Sequence, residues 1–512
     1  MKNIFYRLPM ILIMALVFSS CEDFLEEMPQ NRLEPSTIED YRELLNKAYI
    51  LDEKVTPYIE ALSDDAELIE ANHAYGMYNN NPLPDMGDNM LSAYMYHDSH
   101  EFSLSGGDIA FERFYESIFY CNVVIEKIDD AISSTVGVPM TDVKNNIKGE
   151  AYALRAFSYF YLVNLYGKWF DPESAETDFG IPVTTSTGAE DKPYPRASVK
   201  DVYDQITSDI EQAISLMETN PLEKNDKRLF DAFRIKAFAS RVALYMHEWD
   251  QTIAISTDIL GENSNIFDLR DAISFANEEN NNSSSATVLS QGQDYLDINN
   301  NNVIFVNGTN EIYPLLSVWV TNTTFSVNTD LAEIYEDGDV RRYYFMGTYR
   351  RSLFGINFEK LLPFKHRSTT YPWPLLDVQP TFFDGYTRVV RVEEVLLNRA
   401  EAYAQIGELQ LAVNDLNTLR EKKFDPALFT QLSAGSFTQE SLLTFIYAER
   451  RKELCFEGHR WFDLRRTTRP AITGRIGYDG ETASLQKDDP RYILQIPEKE
   501  LDTNPSIERA PR

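Results

Sequence analysis

The chain has 512 residues, of which 43% are hydrophobic and 12% aromatic, and a formal charge of −32 at pH 7. That length and apolar content describe a folded globular protein with a sizeable core, in one large domain or a few ordinary ones. The excess of carboxylates repels phosphate backbones, so nucleic acid is excluded as a partner.

Lys2 and Arg7 precede an apolar run, Leu8 to Phe18, and the small pair Ser19-Ser20. The run is short of the about 20 apolar residues a membrane-spanning helix needs, so residues 1–20 read as a secretory signal peptide. Cys21 directly after small residues resembles a bacterial lipobox, whose thiol is lipidated and becomes the first residue of the mature chain. Phe18 stands where a leucine is more usual. Residues 21–35 read as a lipid-anchored tether. Cys121 and Cys455 lie in apolar helical patterns and read as buried free thiols.

Helices then dominate. Ser36-Thr37-Ile38-Glu39 has the form of a capping box before Ile38, Tyr41, Leu44, Leu45 and Ala48 at helical spacing. Further apolar periodicities mark helices over Phe111 to Ile128, Val143 to Tyr166, and from the cap Ser198 through Met217. Others fall near 229–247, 250–260, 389–406, 408–422 and 438–456. Their pairing through short turns suggests a helical repeat. Ala400, Tyr403, Gly407, Ala412 and Leu416 resemble a tetratricopeptide copy, and Ser240, Ala243, Trp249 and Ser256 a looser one.

The stretch from about 261 to 388 differs: it is rich in Asn, Ser, Thr, Gly and Pro, with short apolar runs such as Val303 to Val306 and Ile312 to Val320 that look like strands. A long irregular insertion with this aromatic content reads as a functional face. A similar loop region, Asn72 to Phe102, carries Tyr75, Tyr78, Tyr94 and Tyr96.

The segment from Ala448 to Arg466 closely resembles the C-terminal signature of the SusD/RagB family of Bacteroidetes surface lipoproteins. Cys21-Glu22-Asp23-Phe24-Leu25, Phe114-Tyr115 to Ile128, Gly149-Glu150-Ala151 to Gly167, Arg391 to Ala402 and Ile496-Pro497 to Asn504-Pro505 agree and follow the family's order. Trp169-Phe170 and Thr252 depart from its usual residues. The resemblance implies a mainly α, tetratricopeptide-like helix-pair scaffold with a loop-built ligand face. Residues 36–512 would form one SusD-like domain, with scaffold at about 36–260 and 389–466 and the ligand-face insertion at about 261–388. It also implies a lipid-anchored outer-membrane protein facing the cell surface, which passes oligosaccharide to a SusC-like TonB-dependent transporter. Some relatives are thought to handle peptides.

Within the signature, Glu449, Glu453 and Glu457 recur every four residues, with Arg450, Arg460 and Arg465 nearby. Gly458 fits a helix C′ position, after which Trp461, Phe462 and Asp463 fold back. We expect structural ion pairing between these carboxylates and these arginines, not acid–base catalysis, because no nucleophile or metal pattern accompanies them. Glycan recognition needs flat aromatic faces and amide or carboxylate partners for hydroxyls. Trp319 and Trp373 in the irregular region are the platform candidates. Tyr78, Tyr94 and Tyr371 follow, with Asn79, Asn80 and Asp65 as hydroxyl partners. His97 and His100 fit a polar loop better than zinc, and Asp297, Asn299 and Asn301 lack the rest of an EF-hand. No cofactor or metal is expected, and no enzymatic activity. Oligopeptide capture is the nearer alternative and a surface glycosidase the more distant one.

Overall fold

The computed structural model describes residues 35–51, 55–56, 58–68, 91–97, 109–132, 140–187, 194–272, 295–308, 325–353, 356–363, 365, 388–477 and 480–512. The lipobox and the tether up to residue 34 lie outside them. Helix α1 (Ile38–Ala48) is capped one residue later than the sequence suggests. Thr37 Oγ1 accepts from Asp40 N–H while the Asp40 carboxylate accepts from Thr37 N–H. A short turn, α2 (Ile59–Leu62), leads to strand β1 (Ala66–Leu68). Next come α3 (Ile109–Lys127), α4 (Met140–Tyr166) and α5 (Val199–Thr219), the last capped by Ser198 Oγ on Asp201 N–H.

Almost every residue in the second half of α4 is buried, because α3 flanks one side and α5 the other. Gly149 permits that approach: a Cβ there would meet Met217 Cγ of α5 at 2.8 Å. Helices α6 (Ala232–Tyr245) and α7 (Trp249–Glu262) form a pair, as do α10 (Val392–Gln405) and α11 (Leu409–Glu421), and α7 packs on α10 across the insertion.

The two pairs turn in the same way. At the first junction Glu248 N–H donates to Ala243 O and His247 N–H to Leu244 O; at the second, Glu408 N–H donates to Tyr403 O and Gly407 N–H to Ala404 O. These are Schellman closures whose C′ residue is left-handed, φ 61° at His247 and 86° at Gly407. The weaker copy therefore aligns Ser240 with Ala400, His247 with Gly407, Thr252 with Ala412 and Ser256 with Leu416. Side chains at all of these except the two turn residues are buried, which lets the helices of each pair lie close.

Between α7 and α10 lie β2 (Val303–Asn307), β3 (Phe325–Val327), the short helices α8 (Thr329–Glu333) and α9 (Arg341–Phe345), the hairpin β4 (Met346–Leu353) and β5 (Ile356–Pro363), and β6 (Arg388–Arg391). The run from Val389 thus begins as strand, not helix, and α10 starts at Val392. All four strand pairs among the described residues are antiparallel: β1 with β3, β2 with β6, β4 with β5, and β7 (Ile472–Ile476) with β8 (Thr482–Leu485). Helices α12 (Gln439–Leu454), α13 (Arg460–Arg466) and α14 (Glu498–Thr503) complete the chain. Helix α12 stops at Leu454, so Phe456 with φ 63° takes the C′ position, and Gly458, also left-handed at φ 79°, turns the chain two residues further on.

Candidate functional site

Helix α12 carries Glu449 and Glu453 one turn apart, and the turn after it brings Glu457 to the same buried centre. Arg450, Arg460 and Arg465 are not their partners, contrary to the sequence expectation. Glu449 pairs with Arg341 at 2.9 Å, Arg420 at 3.0 Å and Lys452. Glu453 meets Arg391 at 3.2 Å, Arg341 at 3.3 Å and Lys423 at 3.7 Å, and accepts from Tyr295 Oη. Glu457 pairs with Arg391 at 2.7 Å and with Lys365. Among the described residues, Glu336 on Arg420, Asp339 on Arg341 and Glu393 on Arg391 bring the network to six acids and six bases.

Charge balance is what makes this burial tolerable, since an unpaired charge would cost several kcal/mol. Burial alone pushes Glu453 up, but the summed attraction of Lys423, Arg391, Arg341 and Lys365 brings its carboxyl down to about 2. Glu449 and Glu457 are held low in the same way, against their burial. These carboxylates stay ionised and sealed from solvent, without a proton to give at neutral pH.

The three arginines expected as partners face elsewhere, because residue 450 lies about 100° round the helix from residue 449. Arg450 binds Asp463 at 3.3 Å and Asn398 at 2.7 Å, Arg460 binds Asp64 at 2.7 Å, and Arg465 donates to Gly167 O at 2.6 Å. Trp461 stacks between Tyr492 at 4.9 Å and Tyr96 at 6.4 Å. The signature is thus a knot joining α12 and α13 to α4, α10 and the segment before β1. The sequence reading missed Arg341, Lys365, Arg391, Arg420 and Lys423. The available signal was a lone cation inside an apolar run, as in Val389-Val390-Arg391-Val392.

The network also fixes where the chain leaves the scaffold. Lys365, just past β5, is locked by Glu457 and the Cys455 carbonyl. Leu68 pairs with Phe325, so segment 69–90 departs where segment 309–324 returns. Asn307 pairs with Arg388, so 309–324 departs where 366–387 returns. Gly308 makes that junction possible with φ 83°, since a Cβ there would lie 2.1 Å from Arg388 Nη2. Beside the β1–β3 root, a small pocket is lined by Glu60, Asp65, Ala66, Phe325, Ser326, Val327, Pro363 and Phe456.

Trp319, Trp373, Tyr371, Tyr78, Asn79 and Asn80 all fall on these three segments, outside the described residues. Tyr94 and Asp65 are described, and both belong to the scaffold. The Tyr94 ring packs on Phe325 at 5.3 Å and under the Arg475 guanidinium at 4.4 Å; Asp65 is bound by Arg451 at 2.7 Å. Both are buried, so neither presents its ring or carboxylate to a ligand from solvent in this structure. Cys121 and Cys455 are free and buried, and burial pushes both thiols up to about 12. Among the described residues no helix is long and apolar enough to cross a membrane, and no group of three or more His, Cys, Asp or Glu side chains is placed to hold a metal ion.

Antiparallel helix pairs, with three chain segments leaving from a charge-locked root, define the class of fold to which this chain belongs. The SusD family matches residues 277–512, and a second family of the same kind, described as starch-binding and associating with the outer membrane, matches residues 23–244. The SusD-like protein P38 of Formosa agariphila is 26% identical, with 98% of this chain and 97% of that protein aligned. A SusD superfamily protein of Bacteroides thetaiotaomicron superposes with a TM-score of 0.70 at 22% identity, covering 93% of this chain and all of that one. A SusD-like carbohydrate binding protein of Bacteroides vulgatus superposes with a TM-score of 0.63 at 21% identity, covering 92% and 97%. The chain belongs to the SusD/RagB family.

Proposed function

We propose that this protein is a lipid-anchored cell-surface receptor that binds oligosaccharide without cleaving it and delivers it to a SusC-like TonB-dependent transporter in the outer membrane. The observation that carries this reading is the shared rooting of three segments. Segment 309–324 runs from the β2–β6 pair to the β1–β3 pair, 366–387 runs from just past β5 back to the β2–β6 pair, and 69–90 departs from the β1–β3 pair. Trp319 is thereby held within about 20 Å of Phe325, and Trp373 within about 30 Å of Lys365. Aromatic platforms from separate segments can thus converge on one ligand.

The family, with relatives named for carbohydrate binding, supports the glycan as ligand class. The sealed state of Glu449, Glu453 and Glu457 supports binding without hydrolysis, which would need two accessible carboxylates about 5–10 Å apart.

The test is the double variant Trp319→Ala/Trp373→Ala on a glycan array and by calorimetry. Stacking of this kind is worth about 0.5–1.5 kcal/mol per contact, so the pair is expected to cost between about fivefold and about 150-fold in affinity with the melting temperature unchanged. Glycan affinity equal to wild type overturns the choice of platforms. Binding of peptides in place of glycans, or glycan turnover by the purified protein, overturns the ligand class or the non-enzymatic role.

A further inference from the structure

Glu60 in α2 and Asp65 before β1 are almost wholly buried, 4% and 2% exposed. Glu60 Oε1 accepts from Gly458 N–H at 2.7 Å, and Asp65 Oδ1 accepts from Arg451 Nε at 2.7 Å. Their other oxygens, Glu60 Oε2 and Asp65 Oδ2, are buried and accept no hydrogen bond. Both residues line the pocket beside the β1–β3 root, whose other walls include Phe325, Val327, Pro363 and Phe456. Two orphaned acceptors in one apolar pocket lack a donor.

The ion pairs agree. Among the described residues Asp64 and Asp65 pair with Arg451 and Arg460, whereas Glu60 forms no ion pair, and Arg475 beside them donates to the carbonyls of Ala61, Leu62 and Ser63. Glu457 adds to the negative field, and its own partners Arg391 and Lys365 are already engaged. Glu60 is thus a buried acid without an ion-pair partner among the described residues, unlike the acids of the neighbouring network.

We propose that Glu60 and Asp65 share one proton across this pocket, and that losing it to solvent unfastens β1 from β3, so that the roots of segments 69–90 and 309–324 respond to pH. In the loaded form the Glu60 carboxylic O–H donates to Asp65 Oδ2, satisfying both orphans. In the unloaded form two carboxylates repel each other between apolar walls. Burial first, and then the charges of Asp65 and Glu457, lift Glu60 to about 8 against the opposing pull of Gly458 N–H and Lys365. Burial also raises Asp65, with Asp64 adding to it and Arg451 and Arg460 opposing.

The folded state therefore binds more protons than the unfolded chain above the ordinary glutamate value of 4.5, and native stability falls as pH rises from there to about 8.

Glu60→Gln imitates the loaded form, because its amide accepts from Gly458 N–H and donates to Asp65. Amide exchange at β1 and β3, corrected for intrinsic base catalysis, is expected to lose about tenfold in protection between pH 7 and pH 9 in wild type and to stay level in the variant. Infrared difference spectra, wild type against variant, should show a protonated-carboxyl band at pH 7 that disappears by pH 9. Equal pH response in both proteins overturns the proposal. So does a Glu60 already ionised at pH 7, including one held so by an added sodium or calcium ion. Should the variant fail to fold, the infrared titration of wild type alone decides between these outcomes.

Discussion

Arg391 shows how much this fold asks of single side chains. It is fully buried, touches Glu457 at 2.7 Å, Glu393 at 2.9 Å and Glu453 at 3.2 Å, and lies 5.0 Å over the Tyr295 ring. Truncation would leave excess negative charge in a dry centre, so Arg391→Ala is expected to lose about 3–5 kcal/mol in urea denaturation at pH 7. Arg509→Ala, at an exposed pair with Glu498, should leave the midpoint unchanged. The loss depends on pH in a definite direction. Glu453 is held at about 2 in the folded state against an ordinary 4.5, so its stabilisation is full above 4.5 and is lost as pH falls through about 2. The gap between wild type and Arg391→Ala should therefore narrow toward pH 2, and a gap that widens there would refute the ionic account. Sequence could show that Glu449, Glu453 and Glu457 require cations, since carboxylates recurring every four residues share one helix face and cannot be buried there alone. It could not show which cations: Arg341 and Lys365 come from the insertion, and only folding brings them under α12.

At the scale of elements, the helix pairs were legible where both the turn and the small residues carry their usual marks. The α10–α11 pair has Gly407 at its turn and Ala400 and Ala412 at its contact, and its pattern can be read directly. The α6–α7 pair reaches the same geometry with His247, Ser240 and Thr252, so its copy is faint: His247 accepts a left-handed φ of 61° and its ring stacks on Trp249 at 4.9 Å. The strand at Arg388–Arg391 was hidden for another reason, because its apolar run merges into α10 and its partner β2 lies far away in sequence. Gly407→Ala separates strain from crowding at such a turn. A Cβ at Gly407 meets nothing within 4 Å, so any cost arises from φ 86° alone. The expected loss is about 1–2 kcal/mol by urea denaturation, and Gly407→Asn should cost less, since asparagine tolerates this region better. An alanine variant as stable as wild type would show that the closure relaxes out of the left-handed region.

For the whole molecule, the proposed role turns on how a body of charge −32 is kept at a membrane. Anionic head groups repel such a body, so electrostatics supply no affinity for the surface and, in the proposed role, acyl chains on Cys21 would supply it. The scaffold begins at residue 35, and a tether over residues 21–35 reaches at most about 50 Å. In that role, this tether would keep the receptor within that distance of the membrane that holds its transporter, without any added contact between them. Cys21→Ser, made behind a leader that is cleaved without acylation, removes the confinement and leaves the folded body as it is. Its folded body should melt with wild type and bind oligosaccharide in solution with the same affinity, because Cys21 lies outside the scaffold. Fractionation should find it released from the outer membrane, and cells carrying it should take up labelled oligosaccharide at a small fraction of the wild-type rate. Restoring a tethered version through a different lipidated leader should restore uptake. Full uptake by the released protein would mean that the body docks on its transporter strongly enough without an anchor, and would move the source of affinity from the lipid to a protein interface.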